Sequence, residues 1–277
     1  REYTEDFQSP TIPPETIFRQ TTNLQEGIMS SNLLTFSAST NSCGHCRGAR
    51  TCLGGILDPS LRGELSRHVT HPRPIRHGEQ LFRQGDKFDA VYVIRSGSLK
   101  TYLDSEDGFE QAVDFLYPGD LVGFDAILDK RHPTSAVALE TTAYCAIPYE
   151  RVIALGAESP SLFSELMRAA AQQMVSVQQH VLLLGQKSAL ARVAVFLMNL
   201  SSRFAARGCS KTEFHLSMSR QEIASYLAVA VETISRLLTD LQNRKIISVE
   251  RRLVKILSLP ALEDVARDGS LLRMRTA

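Results

Sequence analysis

Between Ser219 and Leu257 the residues follow a spacing that few folds accommodate. Ser219 can cap a short helix over 220–226, residues 227–230 suit a turn, and a second helix is expected over 231–243. Two apolar runs, 246–249 and 253–257, then flank Glu250, Arg251 and Arg252. Helix, turn, helix and basic hairpin together make a winged helix-turn-helix. On the second helix Ile234, Leu237, Leu238 and Leu241 form a core-facing stripe. Glu232, Ser235 and Arg236 stand at i, i+3 and i+4, so they share the opposite face near the N-terminus. Arg can donate two hydrogen bonds to guanine, Glu can accept from cytosine, and Ser can do either. The plainer use of this spacing is a surface ion pair between Glu232 and Arg236, worth about 0.3–0.5 kcal/mol.

Charge supports a nucleic-acid reading. The chain's net charge of +1 hides an imbalance: from Gln186 onward there are 15 Lys and Arg against 8 Asp and Glu, and before it 16 against 22. The C-terminal part is therefore +7 and the rest −6. A basic half paired with such a motif points to double-stranded DNA. Enzyme signatures are missing: no phosphate-cradling glycine loop, no HExxH and no nucleophile elbow can be found, and the seven histidines are scattered.

Upstream, the pattern divides the chain. Residues 1–40 are rich in Ser, Thr, Asn and Pro without periodicity, and are expected to form a flexible arm. A cysteine loop occupies 41–60. Over 61–158 a short helix (61–69) precedes apolar runs at 90–94, 98–103, 112–117, 136–139 and 143–147, separated by Gly, Pro and Asp turns. That spacing predicts a closed or double-sheet β structure. Ser159, Pro160 and Ser161 offer a cap and a first-turn proline for a long helix over 159–186. Leu166, Ala170, Met174, Val177, Val181 and Leu184 recur on it at coiled-coil steps, while Gln172, Gln173, Gln178 and Gln179 make the other faces polar. A homodimer seam is expected there. Residues 187–277 form the DNA-binding part, so the fold class is α+β.

Three of the five cysteines, Cys43, Cys46 and Cys52, lie in a C-x2-C-x5-C run broken by two glycines. Clustered thiolates select zinc, copper(I) or an iron–sulfur cluster. Four ligands are usual, so a fourth is expected from Cys145, Cys209 or a histidine such as His45. No run of 18 apolar residues predicts a membrane span, and the N-terminus lacks the basic and apolar regions of a signal peptide. A reducing cytoplasm, with a metal role rather than disulfides, is the expected setting.

Several of these stretches resemble the CRP/FNR superfamily of bacterial transcription regulators, and most closely its oxygen-responsive FNR branch. Residues 95–100 (RSGSLK) and 119–127 (GDLVGFDAI) resemble that family's β-roll, a jelly roll of the cyclic-nucleotide-binding type. Val231-Glu232-Thr233-Ile234-Ser235-Arg236 resembles its recognition helix, and the cysteine run its ligand loop. The resemblance implies a [4Fe–4S] cluster on Cys43, Cys46, Cys52 and Cys145, with Cys209 a bystander. It implies a homodimer that binds a TTGAT-N4-ATCAA-like site without oxygen, RNA polymerase as a partner, and loss of the cluster in air. Glu232, Ser235 and Arg236 would read bases, Thr233 and Arg220 would lie beside them, and Arg251 and Arg252 would touch phosphate. A zinc-stabilised regulator of the same fold is the alternative. The cyclic-nucleotide branch needs a Glu after the glycine of a turn and an Arg before a Ser/Thr-Ala pair. Here Phe124 follows Gly123 and Thr134 precedes Ser135, so no cyclic nucleotide is expected. Ala228 and Ala230 stand where relatives carry Gly and a Ser or Thr cap, which predicts a local cost of about 1–2 kcal/mol.

Overall fold

The computed structural model describes residue 43, residues 52–104, residue 108 and residues 110–267; the arm expected over 1–40 lies outside them. Two short helices come first, α1 (Leu53–Ile56) and α2 (Pro59–His68). Asp58 starts α2 by accepting from the amides of Ser60 and Leu61, and Pro59 fills the first helical position, where no donor is needed. Seven strands follow: β1 (Gln80–Phe82), β2 (Ala90–Ser96), β3 (Leu99–Asp104), β4 (Glu110–Leu116), β5 (Leu121–Val122), β6 (Ser135–Ala138) and β7 (Ala143–Pro148). They form two antiparallel sheets, ordered β1-β6-β3-β4 and β5-β2-β7. Phe82, Ile94, Leu99, Leu116, Val122 and Ala136 fill the space between the sheets. This is the expected β-roll.

Gly97 shows why the turn between β2 and β3 needs glycine. Its φ is +83°, and an added Cβ would lie 2.5 Å from the Thr142 hydroxyl and 2.6 Å from the Thr141 carbonyl. The approach lets the Thr142 hydroxyl accept from the Ser98 amide at 3.1 Å.

Two further helices complete this half, α3 (Tyr149–Glu158) and α4 (Pro160–Gln186). Ser159 caps α4, its hydroxyl accepting from the Leu162 amide at 3.2 Å, with Pro160 in the first turn as the spacing predicts. The C-terminal half comprises α5 (Ala189–Ala206), β8 (Glu213–His215), α6 (Arg220–Leu227), α7 (Val231–Asn243), β9 (Ile247–Glu250), β10 (Leu253–Ile256) and α8 (Leu259–Arg267). Strands β8, β10 and β9 make a third antiparallel sheet, the wing. Helix α5 is long and apolar enough to cross a membrane by length and composition alone. In the fold it is the central core helix, burying Leu190, Val193, Ala194, Leu197 and Leu200 against α7 and α8.

The helix and strand positions read from the sequence agree with these elements to within about three residues. The strands β1, β5 and β8 and the helices α1, α3 and α8 are additions. Three residues or fewer make each added strand, too few for alternation to register.

Candidate functional site

The helix-turn-helix is built as its sequence dictates, including its two weak points. Ser219 and Glu222 form a capping box on α6: the Ser219 hydroxyl accepts from the Glu222 amide at 3.2 Å and the Glu222 carboxylate accepts from the Ser219 amide at 2.6 Å. Ala228 ends α6 in the left-handed region, φ +51° and ψ 53°. Ala230 precedes α7 with no side chain to accept from its first amides. Both carry the cost expected of alanine at such positions.

Helix α7 turns two faces in opposite directions. Ile234, Leu238 and Leu241 are buried, while Glu232, Ser235 and Arg236 are exposed and Thr233 is half-buried. Among the described residues Glu232 and Arg236 make no ion pair with each other, and both side chains are exposed. Ser235 bonds only back to the Val231 carbonyl, at 3.4 Å. Arg220 opens α6 half-buried, and burial pushes its guanidinium below its ordinary value, though an arginine keeps its charge. On the wing, Arg251 is exposed with φ +55°. Arg252 is exposed but donates to the Ser217 carbonyl at 3.0 Å.

Arg192 ties this unit to the long helix, a role the sequence did not reveal. Its guanidinium donates to the carbonyls of Leu184 (2.5 Å), Lys187 (3.0 Å) and Leu227 (3.0 Å). Those carbonyls close the C-terminal ends of α4 and α6, where helices leave acceptors unsatisfied. One side chain thus pins the end of α4 to the end of the helix that precedes the recognition turn.

The described cysteines lie in two places. Cys52 caps α1, its Sγ accepting from the Gly54 amide at 3.4 Å. Cys43 lies against the same turn: a Cβ built at Gly54 would be 3.6 Å from its Sγ. The Cys43 amide donates to the Ser66 hydroxyl of α2 at 3.1 Å. Cys145 is buried on β7, opposite Val93 of β2. It shares one apolar cluster with Cys52, Leu57, Leu65, Leu162 and Leu166. His71, which nothing in the cysteine spacing points to, sits with Nδ1 3.4 Å from the Cys145 Sγ. It is brought there by the antiparallel bridge between Thr70 and Ala146. Cys209 is exposed in the C-terminal half, between α5 and β8. Cys46 and His45 lie outside the described residues, and among those described no three His, Cys, Asp or Glu side chains converge on a metal position. Cys52 and Cys145 share apolar surroundings, and thiols with a neighbouring imidazole suit a soft metal centre rather than a hard oxygen-ligated ion.

The stripe on α4 is partly open. Met174 is 65% exposed, Val177 52% and Val181 63%. Ala170 and Leu184 are half-buried. Leu166 departs from the expectation: it is 5% exposed, already packed with Leu162, Val152 and Leu155 within the protomer. The first turns of α4 serve the roll, so the open apolar surface is carried instead by Phe163, Met167 and the residues from Met174 onward.

A cavity of about 610 Å³ lies between the roll and α4, bordered by Gly123, Phe124, Asp125 and Thr134. Burial pushes the Asp125 carboxyl above the usual carboxylate range, countered in part by His132 and a hydrogen bond from Thr134.

Comparison with known proteins places both halves. Residues 72–159 match the cyclic nucleotide-binding domain family, and residues 191–265 the Crp-like helix-turn-helix domain family. The chain is 46% identical over 215 residues, 78% of its length and 88% of the relative's, to the transcriptional activator protein Anr of Pseudomonas protegens. It is 42% identical over 224 residues, covering 81% and 90%, to the fumarate and nitrate reduction regulatory protein of Vibrio cholerae. Among solved structures, FixK2 from Bradyrhizobium japonicum superposes with a TM-score of 0.65 at 25% identity, over 71% of this chain and 96% of that one. The chain belongs to the CRP/FNR family of transcription regulators, DNA-binding proteins rather than enzymes.

Proposed function

We propose that this regulator acts without oxygen, as a cytoplasmic homodimer whose DNA binding depends on a [4Fe–4S] cluster held by Cys43, Cys46, Cys52 and Cys145. The names of the relatives point the same way: that of Vibrio cholerae is a fumarate and nitrate reduction regulator, and one from Pasteurella multocida is an anaerobic regulatory protein. The observation that carries the reading is a shared core. Cys52 and Cys145 pack on the same apolar cluster as Leu162 and Leu166, the first buried residues of the dimer helix. When bound, the cluster supplies an oxygen-labile cross-link between the N-terminal loop and β7. The chain's own residues do the rest. Holding α1 against α4 fixes the start of that helix, its exposed stripe pairs with a second copy, and Arg192 carries the helix position to α6.

Two such subunits would present Arg236, Glu232 and Ser235 to successive major grooves of a site resembling TTGAT-N4-ATCAA. Thr233 and Arg220 would border the groove, Arg251 and Arg252 would meet phosphate, and RNA polymerase would be the partner at promoters. Cyclic nucleotide is not the effector in this reading. Phe124 and Thr134 stand where the phosphate would need Glu and Arg, and the Asp125 carboxyl beside Thr134 would repel it.

Ligand variants test the assignment. Anaerobically purified Cys209→Ser should keep its full iron and acid-labile sulfide, and Cys145→Ser should lose most of both. Zinc in place of iron, or a normal cluster in Cys145→Ser, would overturn it.

A further inference from the structure

A short run of chain is laid along β7 and pinned at both ends. Thr70 bridges Ala146, and Ile75 bridges Thr142, both antiparallel. Each bridge makes both of its backbone hydrogen bonds. The Thr70 amide donates to the Ala146 carbonyl at 2.9 Å and receives the Ala146 amide at 3.0 Å, while Ile75 and Thr142 exchange bonds of 3.0 and 2.8 Å. The Thr70 hydroxyl adds a bond to the Ala146 carbonyl at 3.3 Å. Pro72 and Pro74 lie between the two bridges. A proline fixes its own φ and biases the residue before it toward extended backbone. His71 and Arg73 each precede one, so residues 71–74 keep little freedom once 70 and 75 are tied.

His71 is the residue this arrangement aims. It is half-buried, and its Nδ1 stands 3.4 Å from the Sγ of Cys145, a hydrogen-bond contact. Cys145 is 9% exposed and packs with Leu57, Leu65, Leu162 and Leu166. In such apolar surroundings a sulfur that carries negative charge gains more from one polar contact than it would in water.

Metal ligation decides the direction of the bond. A free thiol can donate to an imidazole or accept from it. A ligating sulfur has lost its proton, so it can only accept, and Nδ1 must then carry the hydrogen. Donation to the sulfur fixes its orientation and draws charge from it. Hydrogen bonds to the sulfurs are among the factors that set the potential of an iron–sulfur cluster. Relief of negative charge favours the more reduced state, so it raises the potential and makes electron loss harder.

We infer that His71 is a positioning residue for the cluster: its Nδ1–H donates to the Cys145 sulfur, orients that ligand and slows loss of the cluster in air. This rests on the reading of Cys145 as a ligand. It places control of the sensor's lifetime in oxygen on a residue outside the cysteine loop, the α4 stripe and the helix-turn-helix.

The test compares full-length wild type, His71→Gln and His71→Leu, all purified without oxygen. Glutamine keeps an N–H donor, and leucine has none. Iron and acid-labile sulfide should be full in all three before air. In His71→Leu the midpoint potential of the one-electron couple should fall by about 59 mV, a tenfold change in the equilibrium constant. Its cluster absorbance in air should decay about tenfold faster, the lower end of what losing the hydrogen-bond partner of a metal ligand costs in affinity. His71→Gln should recover most of both effects. Packing alone would not move the potential in a way that a donor restores. Loss of iron from His71→Leu before air, with His71→Gln full, is the stronger form of the same result. Loss from both variants overturns the inference, since His71 would then be a ligand and not a donor. An unchanged potential and decay rate in His71→Leu also overturns it, while leaving Cys145 a ligand. A full cluster in Cys145→Ser removes the acceptor, and the reading of Cys145 falls together with the inference.

Discussion

Replacing Val177 by Asp should convert the cluster-free protein from partly dimeric to monomeric. Val177 is 52% exposed in the protomer and lies between Met174 and Val181 on the open stripe of α4. Full burial of a valine side chain is worth about 1.5–3 kcal/mol, so covering the exposed half gives roughly 1 kcal/mol per protomer and about 2 per dimer. Aspartate forfeits that and adds repulsion. Two carboxylates facing each other at about 4 Å across a two-fold axis repel by about 4 kcal/mol at an effective dielectric near 20. Splaying of the side chains or uptake of a proton reduces the figure. The total, about 2–6 kcal/mol, weakens dimerisation by roughly one and a half to four decades. Light-scattering mass at micromolar protein, anaerobic and aerated, reads the outcome for both proteins. Aerated wild type should keep a measurable dimer population, and aerated Val177→Asp should keep none. A wholly monomeric aerated wild type would show that Val177 does not hold the dimer. A dimeric aerated variant would place the seam elsewhere.

Arg236→Ala should cost about 1–3 kcal/mol in DNA binding and relax preference at one G·C pair, whereas Arg251→Ala should weaken all sequences alike and flatten the salt dependence; titrations on a site with that pair mutated separate the two. Ala228→Gly and Ala230→Ser should each raise the melting free energy of the C-terminal half by about 1 kcal/mol, since one relieves a left-handed alanine and the other restores a missing cap; no gain from either would mean the turn has relaxed around alanine. His132 is buried against Phe82, their ring centroids 3.7 Å apart, and burial pushes its imidazole below the ordinary value of 6.5 against the pull of Asp125 and Asp86. A depressed folded value means its contribution to stability is complete above about pH 6.5 and drains as pH falls from there toward the folded value. His132→Phe should flatten that part of the stability curve, and an unchanged slope would absolve His132.

Periodicity made the main elements legible. Three features made the C-terminal half legible in advance: the apolar stripe of α7, Ser219 as a cap for α6, and the basic hairpin. Ala228 and Ala230 were legible as defects because each occupies a position where backbone geometry, not packing, sets the requirement. Leu166 was misplaced because a heptad step records that a residue is apolar, not which neighbour covers it. The neighbours here are Val152 and Leu155 of α3, a helix the sequence reading had not drawn. Arg192 and His71 were invisible for a related reason. Each acts through partners 8, 35 or 74 residues away, and single-chain spacing holds no trace of such pairs. The grouping of Cys145 with Cys52 came from the family resemblance; the shared apolar cluster supplies a physical reason for it.

The central claim is that an oxygen-labile cluster on four cysteines governs DNA binding. The most direct measurement is iron and acid-labile sulfide content, made on anaerobically purified protein before and after air, with duplex binding followed in the same samples. The account predicts a full [4Fe–4S] complement with tight binding before air. After air it predicts loss of iron and sulfide together with a fall in affinity that leaves a residue of binding. Protein that carries zinc, or that binds DNA equally well with its iron gone, would contradict it.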